Sequence, residues 1–186
     1  MPRLFFADNT VLVNFGLIDR FDLLARVLNG NGRWCASIQT ECERSSARPE
    51  LASLAGVPKL LGPPIVPSTA ERIRTTILRE QLASPGDARS AHFGEAETLA
   101  VMESRHSADL LMTDDNGARA LAAQLSIEVG STWQLLRLAT RKEWVQCAEM
   151  LDYMDLLHNN RRGGPRLNTV SELRSWAGMP PAEILG

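Results

Sequence analysis

A chain of 186 residues with 44% apolar and 23% charged side chains has ordinary globular usage, which excludes disordered, collagen-like and low-complexity proteins. That length suits one domain with at most a short appendage, and a net charge of −2 excludes a general polyanion trap. No apolar run approaches the roughly 18 residues of a membrane span, and Asp8 interrupts MPRLFFADNT where a secretory leader needs an apolar stretch.

Leu4–Ala7 is a short apolar run ended by Asp8 and reads as a buried first strand. Residues 10–28 are apolar at helical spacing, with Gly16 and Asp19 dividing them into two helices. Asn29-Gly30-Asn31-Gly32 is a turn, and Trp34-Cys35-Ala36 is expected to be the second strand. Ser37 is placed to cap a helix over 38–45. Residues 46–67 are proline-rich and are expected to be irregular, with one short helix near 50–55. Ser68-x-x-Glu71 is a capping box for a helix to about Leu82, with Ile73 and Ile77 expected on its inner face.

Gly94 opens a helix over 95–105 with Leu99 and Met102 inward. Asp109–Met112 is a strand, and Thr113-Asp114-Asp115-Asn116-Gly117 is its exit loop. A helix over 118–124, a strand over 127–129 and helices over 131–141 and 143–157 follow. A basic link, Arg161 to Arg166, leads to a helix capped by Thr169-x-x-Glu172 and stopped before Gly178 and Pro180-Pro181. Short strands alternating with helices predict a parallel α/β sheet. Cys35, Cys42 and Cys147 form no C-x-x-C pair, so reduced thiols in a cytoplasmic protein are expected rather than a zinc ribbon or a disulfide scaffold.

Certain acids then acquire meaning. Asp8 ends strand one, and Asp114 and Asp115 end a later strand. The carboxyl ends of parallel strands share one edge, the edge where such sheets bind ligands. Like charges brought together there are costly unless a cation lies between them, and oxygen ligands suit a hard divalent ion. Glu41, on an early helix, and Glu95, in the first turn of the helix opened by Gly94, are the candidates to complete the ring. Glu97 lies about 200° around the helix from Glu95, so the two cannot both face one site; Glu95 is preferred. Each acid alone also has an ordinary reading, as a turn former, a helix cap or a solvated residue. The joint order is what points to a site.

The blocks FFADNTVLVNF at 5–15, SIQTECER at 37–44, HFGEAETLAVM at 92–102 and LLMTDDNGARALA at 110–122 resemble the PIN domain, the nuclease fold of toxins of the VapC type. The resemblance implies a three-layer α/β/α domain around a mainly parallel sheet of about four to five short strands. It covers residues 4–140 or so; the domain is expected to span 1–158, with 159–186 as a basic linker and C-terminal helical extension. It implies Mg²⁺ or Mn²⁺ as cofactor and RNA as substrate, cut by phosphodiester hydrolysis. Asp8, Glu41, Glu95 and Asp115 match the family's catalytic acids; Asp8, Glu95, Asp114 and Asp115 are the implied metal ligands. Thr113, Arg119 and Asn9 are the implied substrate contacts. Glu95 departs from the family, where the third acid is usually Asp. A toxin would further imply an antitoxin partner and a homodimer.

Arginines dominate the basic residues, with only Lys59 and Lys142 as lysines. Arg72, Arg74, Arg79, Arg119, Arg161, Arg162 and Arg166 are candidates to hold phosphates around the acids. A second class of reading is a PIN-like module that binds RNA or protein without cutting. A phosphoacceptor receiver domain is excluded by the missing middle-strand Asp, and a serine hydrolase by the missing G-x-S-x-G.

Overall fold

Four short strands, β1 (Phe5–Ala7), β2 (Gly32–Arg33), β3 (Leu110–Met112) and β4 (Glu128–Gly130), form one sheet in the order β2-β1-β3-β4. Every pairing is parallel. The computed structural model describes residues 2–88 and 90–180; Arg89 and the positions from Pro181 onward lie outside the described residues, as does that part of the expected C-terminal extension.

Successive strand residues point to opposite faces, and this alternation builds two cores. Ala7 and Met112 join one buried cluster, together with α1 (Asn9–Leu17), α2 (Phe21–Leu28), α8 (Thr132–Arg141) and α9 (Cys147–Asn159). Phe6 and Leu111 join the other, with α6 (Phe93–Arg105) and α7 (Asn116–Gln124). A sheet covered on both faces explains why its two central strands, β1 and β3, are continuously apolar rather than alternating. The architecture is the α/β/α sandwich that the sequence predicts.

The junction at Asp19 falls as expected: the backbone there has φ of 51° and separates α1 from α2, whereas Gly16 stays inside α1, buried. The second strand does not. The chain leaves the sheet after Arg33, and Trp34 and Ala36 instead bond across to Ile65 (Ile65 N to Trp34 O, 2.9 Å; Ala36 N to Ile65 O, 3.1 Å). The Trp34 indole donates to Gly62 O at 2.9 Å, so the apolar run is used to anchor the proline-rich segment. That segment holds a 3₁₀ helix (Pro49–Gly56) and α4 (Val57–Leu61), more order than expected. Helix α3 (Ala36–Ser46) begins before Ser37, whose side chain makes no cap; the N-cap is Cys35.

Helix α5 (Thr69–Leu82) has the capping box read from Ser68 and Glu71, but its phase is the reverse of the expectation. Glu71 is buried and paired with Arg105 at 2.9 Å. Thr75 and Leu78, four and seven residues on, share its inward face, and Ile73 and Ile77 are left 62% and 45% exposed. Periodicity alone placed the isoleucines inward; the cap and its arginine partner fix the rotation of the helix. Helix α10 (Val170–Ala177) follows the Thr169 cap, and its Leu173 is buried in the same core as α8 and α9.

Candidate active site

The strand order reverses direction between β1 and β3: β2 lies beyond β1 on one side and β4 beyond β3 on the other. A crevice opens at such a point at the carboxyl ends of the strands. Asp8 follows β1 and Thr113-Asp114-Asp115 follow β3, so the acids of two strands meet there because of the topology.

Asp8 is almost fully buried and caps α1, accepting from Thr10 N at 3.3 Å. Its Oδ2 also accepts from the hydroxyls of Thr10 at 2.5 Å and Thr113 at 2.8 Å. Each hydroxyl in turn accepts a backbone N–H from the Asp pair: Asp114 N reaches Thr10 Oγ1, and Asp115 N reaches Thr113 Oγ1, both at 3.1 Å. Both hydroxyl protons are thereby committed to one oxygen of Asp8. The other oxygen, Oδ1, is buried without a hydrogen-bond partner. Burial pushes the Asp8 carboxyl above its usual range, against the four hydrogen bonds that favour its charge.

Glu95 stands in the first turn of α6. Burial first, then the charge of Asp8, and further those of Glu41 and Asp115, push its carboxyl up to about 8. Glu41 on α3 is raised by burial and by Asp8, while the Gly94 backbone N–H holds it in the opposite direction. Gly94 has a steric reason to be glycine: a Cβ there would lie 2.6 Å from Glu41 Oε1 and 2.6 Å from Ile38 Cδ1. The close approach of α6 to α3 thus brings Glu41 toward the crevice. Asp115 caps α7, accepting from Ala118 N at 2.7 Å.

The remaining candidates have other placements. Asp114 is held by Asn14 Nδ2 at 2.9 Å, by Thr132 N at 3.0 Å and by the Thr132 hydroxyl, which ties β3 to α1 and α8. Glu97 is no solvated first-turn acid; it is buried and accepts from Ser37 N at 2.9 Å, at the start of α3. Arg119 donates to the Thr113 carbonyl at 3.1 Å. Asn9 turns toward α3, donating to Ser45 Oγ at 3.4 Å. Arg72, Arg74 and Arg79 are engaged within the chain, by Pro67 O, Glu103 and the Ala88 and Ala91 carbonyls respectively.

A cavity of about 640 Å³ opens beside the cluster, lined among others by Thr10, Asn14, Asp114, Asp115, Arg119 and Trp133. Asp8, Glu41 and Glu95 do not line it; Glu41 borders a separate cavity of about 190 Å³ with Thr40, Arg44 and Phe93. Sequence reasoning missed Thr10, Asn14 and Thr132. Thr10 and Asn14 are four apart on α1, one helical face, and two small polar side chains interrupting an otherwise apolar helix carried that information.

Among the described residues no three His, Cys, Asp or Glu side chains form a ready-made metal cage. The chemistry of the donors nonetheless fits a hard divalent cation: they are oxygens only, they repel one another, and one buried carboxylate oxygen is left without a donor. Mg²⁺ keeps several waters and needs only one or two protein carboxylates.

A doubly covered parallel sheet with carboxylates gathered at its switch point defines the class to which the chain belongs. The PIN domain family model matches residues 4–163, and the chain is a member of that family. PIN domains are generally nucleases and typically use divalent metal ions. No curated protein and no solved structure matches the chain. No helix among the described residues is long and apolar enough to cross a membrane.

Proposed function

We propose that the protein is a divalent-metal-dependent endoribonuclease whose acids at the β1/β3 crevice hold Mg²⁺ or Mn²⁺. The observation that carries the reading is the buried, partnerless Oδ1 of Asp8, together with Glu95, whose carboxyl is pushed up to about 8 by burial first and then by the charges of Asp8, Glu41 and Asp115. An isolated buried carboxylate oxygen is expensive, and such repulsion makes sense where a cation completes the group. Asp8, Glu95 and Asp115 would hold the ion, with Glu41 adding charge from α3. A bound divalent ion lowers the pKa of a coordinated water and neutralises charge on phosphoryl oxygens.

The chain's own residues do the positioning. Thr10 and Thr113 lock one Asp8 oxygen and so aim the other. Thr113 also fixes the backbone that delivers Asp115. Asp114, bound by Asn14 and Thr132, holds the exit loop of β3 and adds negative charge at the cavity wall. Arg119 offers a cation on the same wall, in position for a phosphate. Asn9 contributes by fixing α1 against α3.

The resemblance to VapC-type toxins supports a biological setting: the toxin of a type II toxin–antitoxin pair, acting in the cytoplasm as a homodimer and silenced by an antitoxin. The test is cleavage of RNA by the purified chain with Mn²⁺. Cleavage abolished by Asp8→Asn is expected. No cleavage by the wild-type chain would point to the non-cutting module, and an active Asp8→Asn protein would remove the metal mechanism.

A further inference from the structure

We propose that Arg162, on the link after α9, is a phosphate-binding residue that grips the nucleic-acid strand across the cavity from the Asp114–Asp115 wall. The proposal deepens the nuclease reading and takes from it the strand that is its ligand. Residues 161–164 form the cavity wall facing Asp114 and Asp115. The link is held in place: Arg162 N donates to Leu157 O at 2.9 Å. Gly164 lies flat on the Trp133 indole, with φ of 135° and a Cβ position only 2.0 Å from Trp133 Cε2. The same indole stacks on the His158 ring, with centroids 5.5 Å apart. The arm is therefore seated on an aromatic platform that belongs to α8 and α9.

The guanidinium itself lacks a partner it ordinarily has. Its Nε is buried and makes no hydrogen bond, although buried polar groups are nearly always satisfied. Its surroundings include a second cation. Burial first, and then the charge of Arg48, disfavour the charge on Arg162, with Asp114 opposing, and Arg48 is itself committed to Glu50 at 2.7 Å. An anion with several acceptor oxygens, held in the polar cavity that Arg162 borders, would satisfy its guanidinium. A phosphodiester fits, since the guanidinium fork matches phosphate oxygens. Arg161 borders the cavity on the link side and Arg119 on the side of the acids, giving cations on both walls. Such cations let a polyanion approach carboxylates that would otherwise repel it.

The experiment is fluorescence anisotropy of a labelled single-stranded RNA oligonucleotide of about 12 residues in EDTA, so that the strand stays intact, across a series of salt concentrations. Arg162→Gln is expected to weaken binding about tenfold and to reduce the salt slope by about 0.7, the contribution of one phosphate contact on a single strand. Gly164→Ala, which drives the link off Trp133, should weaken binding similarly. Arg3→Gln, at the opposite edge of the sheet, should change neither quantity. Arg162→Gln with wild-type affinity and slope, or a wild-type chain that does not bind the oligonucleotide, would overturn the proposal. Cleavage assays with Mn²⁺ separate the two readings. A chain that binds through Arg162 and cuts nothing keeps the arm and loses the nuclease; a chain that cuts equally well as Arg162→Gln keeps the nuclease and loses the arm.

Discussion

Glu95→Gln converts the burial of the Glu95 carboxyl, and its repulsion by the neighbouring acids, into a measurable stability. In the folded chain without a cation the Glu95 carboxyl is pushed up to about 8, from an ordinary 4.5. An acid whose folded value lies above its unfolded value favours the folded state fully below about pH 4.5. That contribution is lost as pH rises toward 8, because the folded chain must then ionise a group that the unfolded chain ionises easily. Converted at 1.36 kcal/mol per pH unit, the gap sets a ceiling of about 5 kcal/mol, of which roughly 2–3 kcal/mol should survive relaxation and solvent screening. For a chain of this size that corresponds to a fall in Tm of roughly 5–10 °C between pH 5 and 8 in EDTA. Asp8 and Glu41 are raised in the same direction and steepen the fall. Differential scanning fluorimetry in EDTA reads the effect. Glu95→Gln should flatten the profile and raise Tm at pH 8, and Mn²⁺ should raise Tm of the wild-type chain more than that of Glu95→Gln. A wild-type Tm independent of pH over this window, or a Glu95→Gln profile parallel to wild type, would refute the electrostatic reasoning.

Other consequences follow from single contacts. Asp8→Asn should reduce Mn²⁺-dependent RNA cleavage by at least about 100-fold, roughly 2.7 kcal/mol of barrier, without lowering Tm in EDTA, since it removes a buried charge. Gly94→Ala inserts a methyl against Glu41 and Ile38; overpacking of this kind costs about 1–3 kcal/mol, to be read from urea denaturation, and should depress cleavage as well. Asn14→Ala strips a donor from Asp114 and Thr132 and should cost about 1–3 kcal/mol. Ser68→Ala removes the α5 capping box, at about 1 kcal/mol, and should leave cleavage intact.

What the sequence disclosed follows from what local pattern encodes. Asp8 and the Thr113–Asp115 block were legible because a strand end and a parallel topology together determine which residues share an edge. That Glu95 and Glu97 face different surroundings was legible from helical geometry: Glu97 is spent on the Ser37 backbone, while Glu95 feels the charge of Asp8. The hydroxyl lattice of Thr10 and Thr113 around Asp8 was hidden, because it depends on α1 lying against the β3 exit. The second strand was misplaced since Trp34 and Cys35 are apolar for a different purpose, gripping Ile65 and Gly62. The rotation of α5 was misread because a Glu71–Arg105 pair outweighs two isoleucines, and no periodicity reports an ion pair 34 residues away.

A crystal soaked in Mn²⁺ and measured at the manganese absorption edge asks the decisive question. The account predicts an anomalous peak at the crevice between β1 and β3, roughly 2–2.5 Å from Asp8 Oδ1 and also bonded, directly or through water, to Glu95 and Asp115. A peak lying elsewhere, or one that persists unchanged at the crevice in Asp8→Asn, would contradict it.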